Sequence, residues 1–138
     1  MIRSALLTLL LVTPAAAQEI TSVPLAGMEL NPTPFDGVAA AFVTGAFDTE
    51  GLYAANSVLS DGAFFPPHAH PDDRLTLVLE GTMHLGTGTS ETETDETAYP
   101  AGTAVLTPAG TMHWMAARSG DVRVLEIGAG PSGTTFAE

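Results

Sequence analysis

The chain has 138 residues, a length that predicts one domain with a single hydrophobic core. It carries 16 acidic residues against 4 basic ones, and its formal net charge is −12 at pH 7. This charge repels nucleic-acid phosphates and anionic membrane surfaces, so it excludes nucleic acid as an expected partner. The chain contains no cysteine, which excludes disulfide cross-links and thiol catalysis.

The amino terminus has the composition of an export signal. Arg3 provides a positive start, residues 5–12 form a short apolar run, and small residues follow up to Ala17. This pattern predicts a secretory signal peptide over residues 1–17, with a buried N-terminal helix as the alternative. The apolar run is shorter than the roughly 20 residues that span a bilayer. We therefore expect a soluble mature protein, periplasmic or secreted, with no membrane partner after cleavage.

The rest of the chain shows two patterns. Residues 18–37 are rich in Pro, Gly, Thr and Asn, which predicts an extended N-terminal arm. Residues 38–138 consist of short β-branched and apolar runs, separated by turn residues such as Gly62, Gly81 and Gly102. Many short strands at this spacing predict an all-β sandwich or barrel domain.

Residues 74–80 show the alternation expected of a β-strand. The odd-numbered positions are all leucines and share one face. The even-numbered positions after Arg74 carry Thr76, Val78 and Glu80 and share the other face. The pattern thus predicts a strand with two chemically different faces.

Histidine is scarce, with 4 in the chain, and three of the four lie beside turn residues. His68 and His70 are two residues apart, so on one strand their imidazoles point to the same face, within reach of a shared metal ion. His113 follows the turn residues 107–110, which would place it at the start of another strand. A third imidazole from that strand completes a facial set of ligands, and the three histidines together predict a site for one divalent metal ion.

The spacing around the first two histidines resembles the first sequence motif of the cupin family. Gly62 is followed by five residues and then by His68, Ala69 and His70. Gly81 falls where that motif ends. One such match alone would be weak support for the family.

The spacing around the third histidine resembles the second cupin motif. Gly102 is followed by five residues, then by residues 108–110, and after two more residues by His113. The resemblance covers residues 38–128. It implies a small antiparallel β-barrel, or double-sheet jelly roll, whose histidines point into the lumen and hold a divalent metal ion, with Fe, Mn, Ni and Zn all left open.

Two positions depart from the family pattern. The acidic metal ligand of the first motif would fall at Arg74, and the asparagine that ends the second motif would fall at Ala117. A guanidinium is always protonated, so it repels a dication instead of binding it. Asp72 or Asp73 can supply an oxygen ligand in its place, or three histidines and water can hold the metal.

Two further residues are candidates for contact with a substrate. Arg74 either pairs with Asp72 or Asp73, or anchors a substrate carboxylate or phosphate through its planar fork. His84 follows Gly81 and is either an acid or base in the lumen or an ordinary hydrogen-bonded residue.

The cupin resemblance leaves two classes of function open. The first is a metal-dependent enzyme that acts on a small molecule inside the barrel, either a dioxygenase or a lyase or isomerase. The second is a non-catalytic protein that binds a small molecule there. Open coordination positions favour the enzyme, and the missing carboxylate favours the binding protein. A homodimer is left open as well.

Overall fold

The computed structural model describes residues 19–90 and 95–138. The predicted signal peptide over residues 1–17 lies outside these ranges, as do residues 91–94. In the described ranges, no helix is long and apolar enough to cross a membrane. The described residues form β1 (Asn31–Pro32), β2 (Val38–Thr44), β3 (Gly51–Leu59), β4 (Phe64–Ala69), β5 (Arg74–Glu80), β6 (Thr82–Thr87), β7 (Thr97–Pro100), β8 (Ala104–Thr107), β9 (His113–Ala117), β10 (Val122–Gly130) and β11 (Thr135–Phe136).

The strands form two antiparallel sheets. One sheet has the order β1-β2-β3-β10-β5-β8, and the other has the order β11-β4-β9-β6-β7. Many of the neighbouring strands, such as β3 and β10 or β4 and β9, are distant in sequence, because the chain crosses between the two layers as in a jelly roll. The prediction of an all-β, double-sheet jelly roll is confirmed. Strand β1 falls within the segment predicted to be an extended arm, and Asn31 of that segment pairs with Ala40 of β2.

A glycine turn takes the chain from β5 in one sheet to β6 in the other. Gly81 has a φ of +74°, a conformation that side chains rarely adopt. A Cβ atom at this position would lie 2.2 Å from the carbonyl oxygen of Asp121. Glycine is therefore required here for both conformation and space.

The interior of the barrel is apolar at one end and polar at the other. Along β10, Val122 and Val124 belong to the buried core, and the next residue on the same face is Glu126. On β5 the inward positions run from the core residue Val78 to Arg74, which is also buried. The core at the apolar end consists mainly of Val38, Leu59, Val78, Met83, Leu85, Met115, Val122 and Val124.

The three leucines of β5 face outward. Leu75 is 37% exposed, whereas Arg74 and Thr76 on the opposite face are 2% and 3% exposed. Leu75 pairs across the sheet with Leu106 of β8, which is 63% exposed. The polar face of the strand is therefore the one that lines the barrel.

Candidate metal centre and ligand cavity

Three imidazoles meet at the polar end of the barrel. His68 on β4 lies directly opposite His113 on β9 in the antiparallel register, and their ring centroids are 4.2 Å apart. His70 follows the last residue of β4. One ring nitrogen from each of the three residues lies within 4.8 Å of the others, and all three side chains are buried. The structure thus brings together the three histidines that the sequence motifs single out.

The turn before β9 fixes two of these histidines at once. Gly110 has a φ of +72°, and its backbone N–H donates a hydrogen bond of 2.8 Å to the carbonyl oxygen of His70. The same turn leads the chain to His113 at the start of β9. A single glycine turn therefore connects the two cupin-like motifs.

Backbone carbonyls determine which nitrogen of each ring carries its proton. The Nδ1 atoms of His68, His70 and His113 lie 2.7, 2.7 and 2.8 Å from the carbonyl oxygens of Pro66, Gly133 and Thr111. A carbonyl oxygen can only accept, so each Nδ1 must donate. Each Nε2 then carries the lone pair that a metal ion needs.

Burial keeps the three imidazoles neutral. Desolvation lowers the pKa of His68 to about 3 and that of His70 to about 4. It also lowers the pKa of His113, where the positive charge of Arg74 acts in the same direction. A neutral imidazole is the form that binds a metal, so all three rings are in the ligating state at neutral pH.

Arg74 reaches the histidine cluster directly. Its Nη1 atom donates a hydrogen bond of 2.7 Å to Nε2 of His70. Its Nη2 atom donates a weaker bond of 3.3 Å to the hydroxyl of Ser132. The position at which cupins carry an acidic ligand thus holds a cation that occupies one of the three ligating nitrogens.

Two carboxylates and two aromatic rings surround the Arg74 guanidinium. Its nitrogens lie 3.6 Å from a carboxylate oxygen of Asp72 and 3.8 Å from one of Glu126. Its Cζ atom lies 5.2 and 5.3 Å from the ring centroids of Phe47 and Tyr53, within the range of cation–π attraction. Arg74 thus has an ion-pair partner in Asp72, as one interpretation of the sequence expected. It also lines a cavity and its ion pairs are long, as expected of a residue that anchors a substrate anion.

Neither aspartate joins the group of candidate ligand atoms among the described residues. Asp72 accepts a hydrogen bond of 2.6 Å from the hydroxyl of Tyr53 and another from the hydroxyl of Ser132. Although burial raises it, these hydrogen bonds and the charge of Arg74 hold the pKa of Asp72 below its ordinary value. Asp73 accepts a bond of 2.8 Å from the backbone N–H of Ala109.

His84 lies elsewhere. It is on β6, paired with Ala116 and Ala98, and its Nδ1 atom is 3.1 Å from a carboxylate oxygen of Glu96. The same carboxylate accepts hydrogen bonds from Arg118. His84 does not line the cavity beside the three histidines.

The two histidine motifs fall within a recognised domain. The profile described as a cupin domain matches residues 57–128, which is more than half of the chain. The chain belongs to the cupin family. No curated protein matches this cupin significantly.

Solved structures support the same fold at low sequence identity. KdgF from Halomonas sp. is 21% identical, with a TM-score of 0.61 and coverage of 75% of this cupin and 87% of that chain. The polyketide cyclase RemF from Streptomyces resistomycificus is 17% identical, with a TM-score of 0.70 and coverage of 87% and 88%. The DMSP lyase DddQ from Ruegeria pomeroyi DSS-3 is 18% identical, with a TM-score of 0.64 and coverage of 83% and 59%.

A cavity of about 300 Å³ opens beside the histidine cluster of this cupin. His68 and His70 line it together with Arg74 and Glu126. The remaining wall is mostly apolar, and it consists of Asn31, Thr33, Val38, Ala40, Ala41, Phe42, Phe47, Ala55, Ser57, Phe65 and Thr134. A small molecule in this space would contact the histidines, a cation and a carboxyl group at once.

Glu126 is the site residue that the sequence analysis missed. It is 9% exposed, and burial raises its pKa, with the charge of Arg74 acting in the opposite direction. The signal was present in the alternation of β10, where Val122, Val124 and Glu126 share one face. A lone acid that continues an apolar face is a buried acid, and buried acids cluster at functional sites.

Proposed function

We propose that this cupin binds one divalent metal ion through His68, His70 and His113 and acts as a metal-dependent enzyme on a small molecule in the barrel. The reaction we favour is proton transfer of the lyase or isomerase type. The observation that carries the proposal is the buried cluster of three neutral imidazoles, two of which, His68 and His70, line one cavity together with Glu126.

The residues present fit a metal ion. Their Nδ1 atoms are all engaged with carbonyl oxygens, which leaves three Nε2 lone pairs on one side of the cluster as ligands. A bound dication would polarise a substrate oxygen and stabilise negative charge that develops on it. The one discordant group is Arg74, whose hydrogen bond to His70 must break before that nitrogen can bind a metal.

Glu126 is the group we assign to proton transfer. Its raised pKa keeps a larger fraction protonated near neutral pH than an exposed glutamate would have. The carboxyl group can therefore donate a proton to a substrate atom in the cavity and take one back, as a general acid and base does. Buried carboxyls with raised pKa values perform this role in many enzymes.

Two of the similar structures fit an enzyme better than a binding protein. One is described as a polyketide cyclase and another as a DMSP lyase. At 17% and 18% identity these likenesses concern the fold, and a shared fold does not determine the reaction. The assignment of chemistry to this chain therefore depends on the site residues themselves.

A metal-free binding protein is the second candidate. It is favoured by the Arg74–His70 hydrogen bond, because a guanidinium at that nitrogen both blocks a ligand and repels a dication. In that case the cavity would hold its ligand through Arg74 and its apolar walls.

The metal content of protein purified without chelators separates these candidates. We expect about one metal ion per chain, by the ligand count of the site. Zinc, manganese or nickel would support lyase or isomerase chemistry, and iron would favour a dioxygenase. Protein that carries no metal and shows no heat of binding with any of these four ions in calorimetry would overturn the metal proposal in favour of the binding protein.

We also propose that the protein is exported through residues 1–17 and is periplasmic or secreted. The support is the sequence pattern of that segment. Amino-terminal sequencing of the mature protein from a periplasmic extract should begin at Gln18. An intact Met1 on the functional protein would contradict export by this route.

For the oligomeric state we propose a homodimer. Its support is the outer face of β5 and β8, where Leu75 and Leu106 are neighbours across the sheet and both are exposed. Light scattering after size-exclusion chromatography should give twice the chain mass, and substitution of Leu106 by Glu should give the monomer. A monomeric wild-type protein at micromolar concentration would contradict this assignment.

A further inference from the structure

The buried guanidinium of Arg74 has hydrogen-bond donors to spare. Its side chain is 3% exposed, yet among the described residues it makes hydrogen bonds only to His70 and Ser132. Within the described ranges its Nε atom has no hydrogen-bond partner. A guanidinium has five N–H donors, and buried donors without acceptors are costly, so this side chain is suited to an anionic acceptor that enters from the cavity.

The two neighbouring carboxylates do not satisfy these donors. Their closest oxygens lie 3.6 Å (Asp72) and 3.8 Å (Glu126) from Arg74, beyond hydrogen-bonding distance. Asp72 is already bonded to Tyr53 and Ser132, which hold it in place. Arg74 therefore keeps both its charge and its donors available to a ligand.

The rest of the cavity wall is built for an apolar body. Phe42, Phe47 and Phe65 line it, and three alanines and a valine add further apolar surface. The volume of about 300 Å³ admits a molecule of the size of a substituted benzene ring. Charge is thus concentrated at one end of the cavity, beside the histidines.

We propose that the cavity binds a small monocarboxylate with an aromatic or other apolar body. Its carboxylate accepts hydrogen bonds from Arg74, and its body packs against the three phenylalanines. This inference rests on the proposed function in placing the substrate in the same cavity. The preferred ligand is then not a phosphate dianion, because the ionised carboxylate of Asp72 already lies 3.6 Å from the guanidinium and repels a second negative charge.

A comparison of ligands on the wild-type, metal-free protein tests the proposal. The probes are benzoate and phenylacetate, their neutral amides benzamide and phenylacetamide, and phenyl phosphate, each titrated by calorimetry. We expect the better carboxylate to bind about ten- to a hundredfold more tightly than its amide, as charge-assisted hydrogen bonds require, and more tightly than phenyl phosphate. Equal binding of acid and amide, tighter binding of the phosphate, or no binding of any carboxylate would overturn the proposal.

Variants then assign the effect to Arg74. Arg74→Gln should remove the preference for the acid over the amide, and Arg74→Lys should retain only part of it, because lysine lacks the planar fork. Arg123→Gln is the matched control. It removes the same charge on β10, where Arg123 pairs with Glu80 outside the cavity, and should keep the full preference. A preference that survives in folded Arg74→Gln protein would overturn the assignment.

The outcome for the carboxylate is separable from the outcome for the metal. Calorimetric titration of the same metal-free protein with Zn²⁺ reports on the histidines alone. Carboxylate selectivity without Zn²⁺ binding would retain this inference and remove the metal-dependent function. Zn²⁺ binding without carboxylate selectivity would overturn this inference and retain the metal-dependent function.

Discussion

Arg74 donates its shortest hydrogen bond to Nε2 of His70, the ring nitrogen that a metal ion would need. The guanidinium and a metal ion therefore compete for one atom. The pKa of His70 is lowered by burial first, and the charge of Arg74 contributes in the same direction. Metal affinity in this cupin is thus linked to the identity of the residue at position 74.

Replacement of Arg74 by glutamate should raise metal affinity. Arg74→Glu removes a repulsive charge, frees Nε2 of His70 and adds a carboxylate oxygen where the family has one. We expect Zn²⁺ affinity to increase by about tenfold or more, as removal of one nearby charge repulsion predicts. Calorimetric titration of both proteins measures the change.

The same substitution should lower the free energy of unfolding of the metal-free protein. A third carboxyl group would then lie beside Asp72 and Glu126 without a cation, and we expect a loss of about 3 kcal/mol in unfolding free energy. Arg123→Glu, with the same change of charge outside the site, should alter neither Zn²⁺ affinity nor stability to this extent. If Arg74→Glu left Zn²⁺ affinity unchanged, Arg74 would not compete with the metal.

Loss of a single imidazole should abolish tight metal binding. His113→Gln removes one of three ligands, so affinity should fall by more than the roughly 10- to 100-fold typical of changes outside the ligand shell. His84→Gln is the matched control, because His84 lies on β6 against Glu96 and away from the cluster. Equal Zn²⁺ affinities for the two variants would argue against the three-histidine site.

The protonation of Glu126 should appear in the pH dependence of stability. Burial raises its pKa in the folded protein above the value of about 4.3 that glutamate has in an unfolded chain. The folded state then binds the proton more tightly, so this group favours folding below about pH 4 and loses that contribution as pH rises through the folded pKa.

The Glu126→Gln variant isolates this contribution because glutamine does not titrate. Relative to wild type, the variant should gain stability as the pH is raised from 4 to 8, in urea unfolding of the metal-free proteins. Glu80→Gln provides the control, because Glu80 is exposed on the outer end of β5. A difference between Glu126→Gln and wild type that is constant across this pH range would contradict a raised pKa.

Gly86 should tolerate no side chain. A Cβ atom there would lie 2.2 Å from the ring of Trp114, which is fully buried on β9. We expect Gly86→Ala to lower the unfolding free energy by about 1–3 kcal/mol, the usual cost of overpacking a core. Gly133→Ala, where no atom lies within 4 Å of the new Cβ, should change it by no more than about 0.5 kcal/mol. Similar stabilities of the two variants in urea would show that Trp114 can move aside.

The sequence predicted the fold and the histidine cluster for the same reason. Both depend on local spacing: turn glycines mark the strand ends, and the interval between His68 and His70 places two rings on one side. The cupin motifs then supplied His113, which is distant in sequence but opposite His68 in the register. Where local spacing carries the information, the prediction matches the structure.

The orientation of strands and the contacts between them were harder to predict. Alternation in β5 defines two faces, but hydrophobicity alone would turn the leucines inward, and the structure turns Arg74 and Thr76 inward instead. Glu126 was missed because its importance arises from a neighbour 52 residues away in the chain. Both the inward orientation of Arg74 and the position of Glu126 depend on pairing between strands that are distant in the chain. A single sequence does not reveal this pairing.

The register in which β5 pairs with β10 determines which side chains of β10 face the cavity. Glu126 pairs with Thr76 on the inward face, and Leu125 pairs with Leu77 on the outward face. Because side chains alternate with a period of two, a slip of one residue in β10 would move Glu126 to the surface and bring Leu125 into the cavity. Evolution should therefore keep the lengths of β5 and β10 fixed and change them by residue substitution. Insertions and deletions should be found in the connections between strands, where they leave the register unchanged.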